Sequence, residues 1–416
     1  MNPWIYDFAA YDYGIRPVGL LRIGSHLRGA GCEIELLDCL EDCSKNRDES
    51  GFSKIRKEKA AKPVIFEGID RPYYRYGMPL GEFDSRLDGI SDPDWIFVSC
   101  GMTYWYPGAK LAIEKLRRRF GKTPVTLGGI YPTLCYEHAV SESGADIVWR
   151  GDYLDKSLFF EKAFYPAYDL LADRTMLPIQ LTRGCPFRCS YCASSVLNPA
   201  FGSRDPLGLF EEVMYYEREF GTKDFVFYDD ALAYESLKGI KPFLRMVIAS
   251  GRTLSFHTPN GLHARFIDDE LAELFKKARF RDLRVSFETS DRNLQSSTGA
   301  KVTSLDLKNA LRNLKEAGFQ KKDIGVYLLI GAPWLDMDRT AEDIIFVNSL
   351  GAKAVLASYS PIPGTADYGS LIDGGILDKA TDPLWHNKTV FAELLKPSYV
   401  EDVRKMRRFA SVLNKA

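Results

Sequence analysis

The chain has 416 residues, 45% hydrophobic and 27% charged, and its 55 Lys and Arg nearly balance 56 Asp and Glu. That length suits two or three domains with large cores, and the charge balance speaks against a nucleic-acid backbone or an acidic membrane surface as partner. No apolar run approaches the roughly 20 residues of a membrane span, the N-terminus lacks the basic and apolar regions of a signal peptide, and the cysteines read as reduced and cytoplasmic.

In chain order, the opening residues leave no room for a strand before Pro3. Val18, Leu20, Leu21, Ile23 and Leu27 recur at helical spacing, which predicts a helix over 17–30. Gly29 and Gly31 end it, and a short strand follows over 33–37. Residues 45–86 are charged and aromatic with little periodicity and read as an irregular excursion. An apolar strand over 95–99 leads through 100–108 to a helix ending at Phe120. Strands over 124–127 and 147–149 follow, the first ending in Gly128-Gly129 and the second in Arg150-Gly151-Asp152. Strands alternating with helices predict a doubly wound, Rossmann-like parallel sheet. Ligands of such sheets lie at the carboxyl ends of the strands, where 101–106 and 128–133 fall.

Residues 153–176 read as a linker. An apolar strand over 177–181 then runs into Cys185-Pro-Phe-Arg-Cys189-Ser-Tyr191-Cys192, a C-x3-C-x2-C loop. Three thiolates in one short loop suit a metal better than a disulfide. Structural zinc sites usually take two separated ligand pairs, and no second C-x2-C follows. Iron–sulfur clusters are held by cysteine thiolates. Three cysteines on a four-iron cluster leave one iron open to a small chelating molecule.

Beyond the loop the alternation is regular. Helices are expected over 206–220, 237–249, 268–278, 304–317 and 340–350, and strands over 224–228, 253–257, 283–287, 324–330 and 354–358. Polar or glycine positions close each strand: Asp229 and Asp230, Asn260 and His263, Glu288, Gly331, and Ser358 with Tyr359. With 177–181 this makes six strand–helix units, a partial barrel whose chemistry belongs at the carboxyl ends of its strands. Asp230 and Ser358 also suit helix N-caps, whereas Glu288 is a poor one. In the tail, 382–389 is dense in polar and aromatic groups, and 401–413 is a basic amphipathic helix. The tail either closes the barrel bottom and side or brings Trp385, His386 and Asn387 to the substrate opening.

The cysteine loop, with Tyr191 just before its last cysteine, resembles the signature of radical S-adenosylmethionine (SAM) enzymes. The resemblance implies a partial (β/α)6 TIM-type barrel and a 4Fe-4S cluster on Cys185, Cys189 and Cys192, whose open iron binds SAM. It places the Tyr191 backbone near the adenine, Asp229 and Asp230 by the SAM amino group, and Glu288 by the ribose or methionyl moiety. Asn260 faces SAM or substrate, Gly331 allows close approach of the adenine, and Ser358 ends the last strand. It also implies an external electron donor of the ferredoxin or flavodoxin type.

The first half resembles the cobalamin-binding-like domain that precedes the barrel in one large subgroup of that family. The matching stretches are Arg16-Pro-Val-Gly-Leu-Leu21, Gly31-Cys-Glu-Ile-Glu-Leu-Leu-Asp38, Gly128-Gly-Ile-Tyr-Pro-Thr133 and Arg150-Gly151-Asp152. Gly128 and Gly129, lacking a Cβ, would let the backbone approach the cobalamin tail. The first strand reads as truncated, and the histidine that ligates cobalt from below in classical cobalamin proteins is absent. Met102, Tyr104, Trp105 and Tyr106 either cover the lower cobalamin face or pack the sheet edge.

These readings divide the chain into 1–152 (cobalamin-binding-like), 153–176 (linker), 177–373 (partial barrel) and 374–416 (small C-terminal helical extension). The function expected is cobalamin-dependent radical SAM C-methylation of an unactivated carbon. The substrate expected is a peptide or protein, with the glutamine α-carbon of methyl-coenzyme M reductase as the most concrete case. The alternative keeps the barrel but makes the first domain vestigial, with a rearrangement, cyclisation or sulfur insertion as the reaction. A cytoplasmic monomer is expected in either case.

Overall fold

Ile96, Val98 and Cys100 alternate with less buried neighbours, and this half-buried pattern makes Ile96–Cys100 a strand. It pairs in parallel with Val125–Gly129, Ile96 opposite Val125 and Cys100 opposite Gly129, and Ile147–Val148 continues the sheet. The helix Tyr106–Phe120 has a proline in its first turn and buries Gly108, Ala109, Ala112, Ile113 and Leu116. Gly108 is required there, because a Cβ would lie 2.0 Å from the Trp4 carbonyl oxygen. Trp4, Phe83, Val98, Ile113, Leu127 and Tyr131 fill the core behind the sheet. Each contributes roughly 1.5–3 kcal/mol by leaving water.

These elements belong to a computed structural model that describes residues 1–41, 53–152 and 165–416. It divides into two units, Met1–Arg174 with Ser370–Val390, and Thr175–Gly369 with Phe391–Ala416. The first half of the expected linker, 153–164, lies outside the described residues. Among the described residues no helix is long and apolar enough to cross a membrane.

Three expectations for the first unit change. The strand over 33–37 does not form. Asn2 and Asp38 make only an isolated bridge, with Asn2 N donating to Leu37 O and Cys39 N to Asn2 O, both at 2.9 Å. Pro3 comes next and has no N–H to extend the ladder. Second, the described part of 45–86 is regular. Tyr74–Tyr76 pairs antiparallel with both Ile5–Asp7 and Lys57–Lys59, and Leu80–Asp88 is a helix. Lys57, Glu58 and Lys59 are all exposed on that edge strand, so charge hides the alternation. Third, the stretch expected as one extension over 374–416 is divided between the units. Its first part packs in the first unit, where His386 bonds Thr103 at 3.0 Å and Asn387 bonds Asp7 at 3.1 Å.

In the second unit, Met176–Ile179, Asp224–Phe227 and Ser255–His257 pair in parallel, with Phe280–Arg281 at the edge. Leu283–Glu288, Ile324–Ile330 and Lys353–Ser358 pair in parallel in turn, with Leu262–His263 beside the first of them. Phe225, Phe227, Phe256 and Phe280 stack at centroid distances of 5.4–6.1 Å across the first set. Asp205, Asp268, Asp291, Thr303 and Asp336 cap the helices that follow. Asp230 and Ser358 cap none of these. Met337–Ser349 and Tyr399–Lys415 pack on the last strands.

Candidate functional site

The cysteine loop leaves the carboxyl end of Met176–Ile179 and is fixed at both ends. Gly184 has φ +74°, and a Cβ on it would meet Ala200 O at 2.4 Å. Thr182–Arg183 pairs with Gly202–Ser203 and closes the loop's base. Beneath it, the buried Asp229 carboxylate accepts from Leu181 N at 3.1 Å, from Thr182 N, and from Thr182 Oγ1 at 2.7 Å. Burial pushes this carboxyl up to about 7, against the pull of those donors. At the far end, Ser190 N donates to Thr298 O at 3.3 Å and Asp367 N donates to Ser190 O at 3.0 Å. Gly299, at φ +118°, would place a Cβ 3.0 Å from Cys189 Cα.

Cys185, Cys189 and Cys192 are free, half-buried thiols. Burial pushes Cys185 up to about 11 and raises Cys189. Cys185 Sγ lies 3.9 Å from His263 Nε2, and Cys192 Sγ lies 3.3 Å from Ser194 Oγ. Among the described residues no three His, Cys, Asp or Glu converge on a single metal ion. A cuboidal cluster makes a different demand, since each thiolate binds its own iron. Three thiols on one braced loop fit that donor set.

Other strand ends bring charge and aromatic rings to the loop. A register shift between Ser286 and Glu288 puts Glu288 at φ 74°, and its Oε1 accepts from Lys301 Nζ at 2.7 Å. Burial works against the Lys301 ammonium, but Glu288 and Cys189 outweigh it and hold its pKa above the usual lysine range. Lys301 Nζ also sits 5.7 Å from the Tyr191 ring centroid. Burial raises Asp230, while the Ser194 hydroxyl and Arg183 pull the other way. His263 is held at about 3 by burial, reinforced by Lys301 and Arg265. It stacks on Phe187 of the loop at 5.0 Å.

The expected site residues therefore separate. The three cysteines, Tyr191, Asp230, Glu288 and His263 come together. Asp229 braces the loop's base. Asn260 Nδ2 bonds the Tyr228 and Asp229 carbonyl oxygens at 3.2 and 3.1 Å. Gly331 has φ +80°, and a Cβ on it would meet the Ala392 methyl at 3.0 Å. Ser358 Oγ accepts from Arg407 Nη2 at 3.0 Å. Lys301, Ser194 and Phe187 were missed. The Gly299-Ala300 turn before Lys301 was the available signal, since it returns the chain towards a strand end.

In the first unit a cleft of about 180 Å³ opens at the strand ends, lined by Gly19, Ile23, Ser99, Gly128, Gly129 and Trp149 among others. A Cβ at Gly128 would meet nothing within 4 Å, whereas one at Gly129, at φ +104°, would lie 2.6 Å from Cys100 O. Thr133 Oγ1 links Gly129 O at 2.6 Å to Gly151 N at 3.1 Å. A cleft whose wall is bare glycine fits the approach of a bulky cofactor tail. Met102, Tyr104, Trp105 and Tyr106 do not line it. Tyr104 is 1% exposed, Trp105 Nε1 donates to Asp7 Oδ2 at 3.2 Å, and Tyr106 OH donates to Asp382 Oδ2 at 3.0 Å.

Residues 179–344 match the Radical SAM superfamily. Over 261 residues the chain is 24% identical to an uncharacterized methyltransferase of Pyrococcus horikoshii, covering 59% of this chain and 54% of that protein. Over 154 residues it is 27% identical to the anaerobic magnesium-protoporphyrin IX monomethyl ester cyclase of Cereibacter sphaeroides, covering 36% and 24%. The chain thus spans about half the length of the first relative and about a quarter of the second. Its fold is similar to that of the radical S-adenosylmethionine methyltransferase TsrM from Kitasatospora setae, solved with cobalamin and a [4Fe-4S] cluster bound. The TM-score is 0.63 at 15% identity, over 86% of this chain and 75% of that one. At that identity the likeness is one of fold.

Proposed function

The chain carries a Radical SAM domain at residues 179–344, and from it we propose that the protein is a cobalamin-dependent radical SAM methyltransferase acting on an unactivated carbon. When bound, the cluster with SAM supplies a 5′-deoxyadenosyl radical and cobalamin supplies the methyl group. The protein's part is to hold and orient. Cys185, Cys189 and Cys192 hold three irons, and Tyr191 lies between the last two ligands. Asp230 is the second-strand carboxylate left for the SAM amino group, because Leu181 and Thr182 occupy Asp229. Glu288 offers a carboxylate for the ribose hydroxyls or the ammonium. Gly128 and Gly129 form the wall for the cobalamin tail, and Asn260, Gly331 and Ser358 shape the strand ends around SAM. The reductant is a ferredoxin- or flavodoxin-type donor in the cytoplasm. The substrate class is a peptide or protein, with a glutamine α-carbon as the concrete candidate.

The observation that carries this reading is the convergence of Asp230, His263, Glu288 and Lys301, from different strand ends and loops, on one three-cysteine loop. Its test is anaerobic reconstitution with iron, sulfide and hydroxocobalamin, then desalting and a visible spectrum. The expected result is cluster absorption with cobalamin retained near one per chain. A retained cluster with cobalamin washed away would turn the reading to a non-methylating radical reaction. That second reading draws support from the positions of Met102, Tyr104, Trp105 and Tyr106 outside the glycine-lined cleft.

A further inference from the structure

His263, at the third strand end, stacks its ring on Phe187 of the cysteine loop, and its placement follows from local structure. Leu262–His263 pairs with the strand beside it, Leu262 opposite Val285 and His263 opposite Ser286. Gly261 allows this, because a Cβ there would lie 2.2 Å from Ser286 Oγ. The ring then lies nearly parallel to Phe187, at 27° and 5.0 Å, with Phe266 at 6.2 Å. It is 3% exposed, and its Nε2 lies 3.9 Å from Cys185 Sγ. Among the described residues its Nδ1 has no hydrogen-bond partner.

A neutral imidazole carries one N–H and one bare nitrogen. A thiol can donate to the bare nitrogen, but a thiolate bound to iron has no proton and only accepts. Once Cys185 ligates iron, the contact survives only with the proton on Nε2. We infer that His263 is a positioning residue that donates its Nε2–H to Cys185 Sγ and raises the reduction potential of the cluster on this loop. The inference rests on the cluster assignment proposed above. One electron from the external ferredoxin- or flavodoxin-type donor adds negative charge to the cluster. A donor aimed at a ligating sulfur favours that reduced state.

The test is an EPR-monitored redox titration of the reconstituted protein and three variants, with iron and sulfide counted in each. His263→Phe keeps a ring against Phe187 without the N–H. His263→Gln offers an N–H at about the reach of Nε2, and His263→Asn offers one too short to reach. The expected result is full iron in wild type, with the reduced-to-oxidised ratio at fixed potential lowered about tenfold in the Phe and Asn variants, a shift of about 59 mV for one electron. The Gln variant should stay near wild type. Equal potentials in the Gln and Asn variants, or an unchanged potential in a fully loaded Phe variant, would overturn the role of His263 while leaving the cluster assignment standing. Wild-type protein that takes up no four-iron cluster would remove both.

Discussion

Glu288 ends its strand at φ 74° and accepts a hydrogen bond from Lys301 Nζ at 2.7 Å, with both side chains at least 84% buried (16% and 14% exposed). Removing one partner strands the other charge away from water, and breaking a buried pair in this way costs about 3–5 kcal/mol. We expect Glu288→Gln and Lys301→Met each to cost roughly 3 kcal/mol, the residual exposure trimming the penalty. The double variant should recover most of it, because no unpaired charge remains. Denaturant unfolding of the four proteins checks this; single variants within about 0.5 kcal/mol of wild type would dissolve the coupling.

His386 is 1% exposed, and burial, with His138 nearby, lowers its pKa from 6.5 to about 3. The unfolded chain takes up this proton as pH falls through 6.5, whereas the folded chain resists until about 3. The stabilisation is therefore present above pH 6.5 and is lost as pH falls from there towards 3. By pH 5 the loss from this residue is roughly 2 kcal/mol, at about 1.4 kcal/mol per unit. Thermal melts of wild type and His386→Gln between pH 7.5 and 5 should converge on acidification. Parallel curves would assign the acid sensitivity elsewhere.

Much of the second unit was legible because burial on both faces leaves continuous apolar strands. Ile324–Ile330 and Pro206–Phe220 form with the bounds their residues predict. The edge strand Lys57–Lys59 was not legible, since its three side chains all face water. Neither was the docking of 382–389, whose contact with Asp7 spans 380 residues; no local pattern encodes such a pairing. The cysteine motif named the loop, but the bracing by Asp229 and the arrival of Lys301 depend on tertiary structure.

Gly128 and Gly129 are adjacent, and the structure gives them opposite constraints. Gly129→Ala forces a side chain into φ +104° and against Cys100 O, and should destabilise the first unit by about 1–3 kcal/mol. Gly128→Val projects into open space and should leave stability within about 0.5 kcal/mol. If the cleft is the cofactor wall, Gly128→Val should nonetheless lose retained cobalamin after desalting. Full retention by a stable Gly128→Val protein would move the cofactor site away from this cleft.

Asn387 is 0% exposed and joins distant parts of the first unit. Its Nδ2 donates to Asp7 Oδ1 at 3.1 Å, and its Oδ1 accepts from Thr389 N at 2.8 Å. Asp7 also accepts from Phe8 N at 2.7 Å and from Trp105 Nε1, so the residue ties 382–389 to the aromatic stretch at 102–106. Asn387→Leu keeps similar bulk but removes a donor from a buried carboxylate and an acceptor from a backbone N–H. Each loss costs about 1–3 kcal/mol, which predicts about 2–4 kcal/mol in all and earlier proteolysis within 382–389. Lys388→Ala, on an exposed neighbour, should stay within about 0.5 kcal/mol. Equal stability of the two variants would mean that the Asp7 network does not hold this segment.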